Sequence, residues 1–98
     1  MKEVLWYLLA GSRGGEMRSR ILFVLSLTPR NAHQLAKALK VDYSTIEHHL
    51  AILRENGVVE TFTTARYGAP WRLTSATKSC WEDFAAIWER IGKSLKKE

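Results

Sequence analysis

The sequence predicts a mainly α-helical fold with one small β-hairpin, an α+β arrangement, and three observations carry that prediction. Apolar residues recur at helical spacing in several separate stretches. Between Val58 and Thr74 the pattern turns extended instead: VVETFTT and WRLT are rich in β-branched and aromatic residues, and Tyr67, Gly68 and Pro70 between them supply turn chemistry. Ninety-eight residues fit a single small domain. Three helices followed by a hairpin make a winged helix-turn-helix, here with an extra helix at each end. The expected division is an amino-terminal helix over 1–10, a winged-helix core over 16–74 and a carboxy-terminal dimerisation helix over 75–97.

Glu3 to Ala10 is apolar on nearly every side, with Val4, Leu5, Trp6, Tyr7, Leu8 and Leu9 in succession. Such a helix has no wet face, so part of it is expected to dock on its own domain and part, through Leu5 and Leu8, on a partner subunit. Lys2 before this run loosely imitates a secretory signal, but Glu3 intervenes and no convincing cleavage site follows. The run is also far short of the ~20 apolar residues needed to span a membrane. Gly11 to Gly15 connects to a second helix over Glu16–Leu27, with Met17, Ile21, Val24 and Leu25 spaced for the core and Arg18 and Arg20 expected outside. Thr28 and Pro29 end it.

The next two helices carry the candidate function. Asn31 to Leu39 has Asn31 as cap, Gln34 three residues on, and Leu35, Ala36 and Leu39 as its buried side. Lys40 and Val41 turn the corner into DYSTIEHHLAILRENG, Asp42 to Gly57. There Ile46, Leu50 and Leu53 form the inward stripe, and Ser44, His48, Ala51 and Glu55 lie opposite, flanked by Thr45. Asp42 as cap and Ser44 with Glu47 as a capping box are both consistent with its start. Gly57 supplies the stop. Two short helices across a tight turn, the second with a small, polar outer face, are a helix-turn-helix unit.

Arg66 falls at the tip of the following hairpin and Arg72 on its return strand, which is expected to place positive charge beside the polar helix. The final segment, from Ser75 or Ala76 to Lys97, has Trp81, Phe84, Trp88, Ile91 and Leu95 at steps of three, four, three and four. That is an a/d seam, expected to pair with a second copy, since a core this small cannot hide both the seam and the first helix.

Charge and cysteine usage narrow the partners. A formal net charge of +5 and a pI near 9.7 favour a polyanion. The single cysteine, Cys80, excludes an intramolecular disulfide and the usual multi-cysteine zinc sites, so a reducing, cytoplasmic location is expected. His48 and His49 point about 100° apart on a helix and seldom share one ion. No Gly-rich phosphate loop, carboxylate pair, or nucleophile with a matching base emerges, so neither an enzyme nor a cofactor is expected. Lys37, Lys40 and Arg54 flank the recognition unit as phosphate contacts or solvated charges. Glu47 is a cap, an acceptor for a cytosine amino group, or a repulsive steering charge. Two functions fit: a dimeric regulator binding double-stranded DNA, or a winged-helix module binding another protein through Trp71, Trp81 and Trp88.

The stretch LAKALKVDYSTIEHHLAILRENGVVE resembles the helix-turn-helix core of ArsR-like winged-helix transcription regulators. GSRGGEMRSRIL, PRNAHQLAKAL, DYSTIEHHLAIL and YGAPWRLT together resemble an archaeal group of them, over roughly Gly11 to Thr74. The resemblance implies a homodimer whose helix at Asp42 to Gly57 enters the major groove, while the Arg66 hairpin touches the adjacent backbone or minor groove. Tyr43, Ser44, Thr45 and His48 match the DNA-facing positions. Metal sensing is not implied, because LAKAL stands where metal-sensing relatives have paired cysteines and the last helix lacks the His and acidic pattern.

Overall fold

The computed structural model describes residues 1–63 and 68–96, with the backbone alone over 93–96. Its elements are α1 (Lys2–Ala10), α2 (Gly15–Leu27), α3 (Ala32–Leu39), α4 (Tyr43–Glu55), β1 (Val59–Thr61), β2 (Trp71–Leu73), α5 (Ser75–Ser79) and α6 (Trp81–Lys96). The core lies where α1, α2, α4 and the hairpin meet the first turns of α6, around Leu5, Leu9, Ile21, Leu22, Leu35, Ile46, Leu50, Leu53 and Ile87, all essentially inaccessible.

α3 begins with the capping box read from the sequence: Asn31 Oδ1 accepts from Gln34 N at 2.8 Å, and Asn31 N donates to Gln34 Oε1 at 2.9 Å. Lys40 turns the chain with a left-handed backbone, φ 57°. α4 is capped at Asp42 without a side-chain bond, so the alternative start at Ser44 is not used. Gly57, φ 71°, ends it, and Val58 N then donates to Leu53 O at 2.9 Å.

The hairpin pairs Val59 with Leu73, Glu60 with Arg72 and Thr61 with Trp71, antiparallel. A further edge was not foreseen: Arg30 N donates to Trp71 O at 3.2 Å and Trp71 N to Arg30 O at 2.8 Å, so the link after α2 is a one-residue third strand. Pro29 hid it, because the sequence there reads as a stop rather than as an edge.

Two expectations are corrected. The last segment is not one helix; it breaks at Cys80 into α5 and α6. Thr74 and Thr77 explain the separate first piece. Thr74 Oγ1 accepts from Thr77 N and donates to Gly57 O at 2.7 Å, while the fully buried Thr77 hydroxyl donates to Val58 O at 2.8 Å. These bonds fix α5 to the end of α4, and the chain must then bend to lay α6 along α1. The second correction concerns the expected dimer residues. Leu5 (0% exposed), Leu8 (4%) and Phe84 (3%) are buried within one chain, so they present no surface to a second copy. Trp81, Trp88 and Ile91 are half-buried, and the Leu95 side chain lies outside the described residues. Trp81 stacks on Phe84 at 4.1 Å, and Trp88 stacks on Phe84 at 5.9 Å and on Phe23 of α2 at 5.5 Å. The seam is therefore partly an intramolecular joint between α6 and α2.

Candidate nucleic-acid interface

Ile46, Leu50 and Leu53 anchor α4 in the core and so fix which side of it meets solvent. That outer side holds Tyr43, Ser44, Glu47, His48, Arg54 and Glu55, all exposed, with Thr45 and Ala51 half-buried at its margins. The first turns are uncharged apart from Glu47. A helix that approaches a polyanion while presenting short polar groups has side chains able to reach base edges rather than only phosphates.

The start of α4 is braced from α3. Tyr43 stacks on His33 with ring centroids 4.2 Å apart and planes 17° from parallel. This pair makes an aromatic wall at the amino-terminal end of the polar face, with Lys37 exposed further along α3. At the other end, the Arg54 guanidinium lies 5.9 Å from the Trp71 ring centre, which joins the end of α4 to the wing. Lys37, Tyr43, Ser44, Thr45, His48 and Arg54 thus belong to one two-helix unit, as the sequence predicts.

The wing differs from expectation. Arg66 lies outside the described residues. Arg72 does not turn toward α4: successive strand residues face opposite sides, and Trp71 takes the α4 side. Arg72 Nε instead donates to Glu60 Oε2 at 2.9 Å and its guanidinium lies 4.7 Å from the Phe62 ring centre. It lines a cleft of about 540 Å³ with Leu25, Leu27, Lys78 and Trp81. The three tryptophans considered as protein anchors are all half-buried, Trp71 against Arg54, and Trp81 and Trp88 in the α6 stack.

Arg18 was expected outside and is buried, 3% exposed. Its Nη1 lies 3.3 Å from Nδ1 of His49, itself 8% exposed. A readable signal existed, since Arg18, Leu22 and Leu25 share one helical face at steps of four and three. Burial lowers the His49 pKa from the ordinary 6.5, with Arg18 and then His48 adding charge repulsion. His48 meets His49 edge-on at 5.3 Å. Among the described residues no three His, Cys, Asp or Glu side chains come together to hold a metal ion, and no helix is long and apolar enough to cross a membrane.

Residues 15–61, from the start of α2 through β1, match the family model described as bacterial regulatory protein, arsR family. No curated protein matches the chain in sequence. Similar solved structures include wild-type ZitR of Lactococcus lactis in complex with DNA, at TM-score 0.63 and 18% identity over 91% of this chain and 66% of that one. Another is the adhesin competence repressor AdcR of Streptococcus pyogenes, at TM-score 0.65 and 17% identity over 84% and 61%. Reduced HlyU of Vibrio cholerae matches at TM-score 0.64 and 28% identity over 88% and 81%. The chain therefore spans 66% of ZitR and 61% of AdcR. The fold is a winged helix, mostly helical with a two-stranded antiparallel hairpin.

Proposed function

We propose that this winged-helix chain is a sequence-specific regulator of transcription that binds double-stranded DNA as a homodimer, with α4 in the major groove. The observation that carries this reading is the outer face of α4: short polar groups at Ser44 and His48 on a helix locked by three buried residues, with Lys37 and Arg54 beside it. Match to the arsR-family model over the same segment supports it, as does likeness to a protein solved on DNA. Ser44, Thr45 and His48 read bases; Lys37, Tyr43 and Arg54 hold the backbone. Arg66 is assigned to flanking backbone or minor groove on the resemblance alone. Arg72 has a smaller share, being already paired with Glu60. The frame around GSRGGEMRSRIL and YGAPWRLT adds the reading of an archaeal member of this group, and the lone Cys80, with LAKAL in place of paired cysteines, that of a cytoplasmic protein without metal or cofactor.

The proposed dimer surface keeps Trp88 and Ile91 of the seam read in the sequence and leaves out the buried Leu5, Leu8 and Phe84. Phe23, Val24, Leu39, Trp88 and Ile91 line an apolar cleft of about 310 Å³ between α2, α3 and α6, rimmed by the Glu16–Arg20 ion pair. We assign the second copy to this face, and Phe23, 44% exposed, is its most accessible anchor.

A mobility shift on genomic duplexes, including the region upstream of the chain's own gene, at several salt concentrations tests the function. Retarded bands that weaken steeply with salt are expected, with a slope of about −0.9 for each phosphate neutralised. A protein that retards no duplex at low salt is not a DNA-binding regulator.

A further inference from the structure

Arg18 is buried, and among the described residues no carboxylate pairs with it. Its guanidinium is held instead by neutral acceptors: Nε donates to Leu8 O at 2.9 Å, Nη2 to Arg13 O and to Ser12 Oγ, both at 2.8 Å, and Nη1 faces His49 Nδ1 at 3.3 Å. An arginine has donors only. His49 Nδ1 must therefore accept, which requires a neutral ring carrying its proton on Nε2. One side chain thus ties the end of α1 and the α1–α2 turn to the middle of α4, and His49 precedes Leu50 of the core stripe and follows His48 of the DNA-facing side.

The local backbone is shaped around this tie. Gly14 has φ 87°, and a Cβ there meets Arg18 Nη1 and His49 Cε1, each at 2.8 Å. A Cβ at Gly15 meets the Leu9 carbonyl oxygen at 2.0 Å, so the glycine pair lets α2 start against α1, within reach of Leu8 O. Among the described residues, the charged and titratable groups that act on His49 are Arg18 from α2 and His48 from its own helix, while Tyr7 of α1 acts on Arg18. None of them is a carboxylate that could accept the proton of a charged imidazole.

We propose that Arg18 is a positioning residue for the recognition helix, holding α4 in its DNA-reading orientation through a neutral His49, and that proton uptake by His49 releases this hold and weakens sequence discrimination. The proposal rests on the DNA-binding reading above. A charged ring donates at both nitrogens and turns the Nη1 contact into two donors face to face inside the fold, so the pair must separate. The rotation and depth of α4 at His48 change with it.

The test uses the duplex most strongly selected by the wild type from a random pool, and its scrambled counterpart. Discrimination between the two is measured from about pH 8 to about pH 5.5, the range in which imidazoles titrate. Two variants are compared: His49→Gln, which keeps an acceptor for Arg18 and cannot titrate, and Gly14→Ala, which intrudes on the contact at every pH. His33 and His48 are present in all three proteins, so a difference between profiles belongs to His49. The wild type is expected to lose discrimination progressively toward the acid end, by no more than the tenfold per pH unit that one proton allows. His49→Gln is expected to stay flat and Gly14→Ala to discriminate poorly throughout while remaining helical by circular dichroism. Parallel profiles for wild type and His49→Gln overturn the proposal, as does His49→Gln discrimination lost at all pH in a folded protein, or a folded Gly14→Ala with wild-type discrimination. Nitrogen chemical shifts of the wild-type His49 ring give a check independent of variants: a proton on Nδ1 at neutral pH overturns it as well. A wild type that discriminates no duplex even at the alkaline end sinks the DNA reading and this proposal together.

Discussion

Ser44 and His48 stand one turn apart on the exposed side of α4, and base readout is expected to be concentrated there. Ser44→Ala combined with His48→Ala is expected to reduce the preference for the selected duplex by about 1–3 kcal/mol per base pair misread, with little change on scrambled DNA. Lys37→Ala, a phosphate contact, is expected to weaken both duplexes alike. Titrating both variants on both duplexes at one salt concentration checks this, and equal losses for the Ser44 and His48 pair would place the bases on another face. His49 gives a second residue-level expectation. Its folded pKa lies below the unfolded 6.5, so below that pH the unfolded chain holds more protons. Stability is therefore expected to be level above pH 6.5 and to fall as pH drops from 6.5 toward the folded pKa. Urea midpoints across that range measure the effect, and His49→Gln is expected to abolish this part of it.

At the scale of elements, the joints matter more than the elements themselves. The capping box at Asn31 sets where α3 starts and thereby where His33 meets Tyr43. Asn31→Ala is expected to cost about 0.5–2 kcal/mol, read from urea unfolding. Thr77 is a joint of another kind, since its buried hydroxyl bonds Val58 O, just past the end of α4. Thr77→Val keeps the shape and removes the bond; Val58 O retains the Thr74 amide at 3.1 Å, so a loss of about 0.5–1.5 kcal/mol is expected. Amide exchange is expected to quicken in α5 and β2 first. A uniform change across the chain would show that the break at Cys80 has no local anchor in Thr77.

For the whole molecule, the remaining question is what covers the Phe23, Trp88 and Ile91 face. The wild type is expected to sediment as a dimer at micromolar concentration, and Phe23→Glu with Ile91→Glu as a folded monomer with far weaker DNA binding. Phe84→Glu is expected instead to unfold the chain, because Phe84 is 3% exposed in a single copy; burying an unpaired charge costs several kcal/mol. A wild type that sediments as a monomer ends the dimer assignment.

The amino-acid sequence by itself determined the order of the elements from α1 to β2, the start of α3 and the end of α4, and the residues that turn α4 outward, but not the break between α5 and α6. Those are local matters: helical periodicity at Ile46, Leu50 and Leu53, a cap at Asn31, a stop at Gly57. The candidate base-reading positions follow from the same periodicity, because burying one stripe of a helix exposes the opposite one. What only the tertiary structure decided are the places where segments far apart in sequence meet. Arg18 looks like a surface charge until the carbonyls of Leu8 and Arg13 and the His49 ring surround it. Leu5, Leu8 and Phe84 look like spare apolar surface until α6 folds back along α1 and covers them. Arg72 looks like a wing cation until the hairpin register places Glu60 opposite it. A one-dimensional pattern records which residues share a face of an element, whereas the partner of that face depends on how the chain returns, and that is fixed only by the packing of all the elements together.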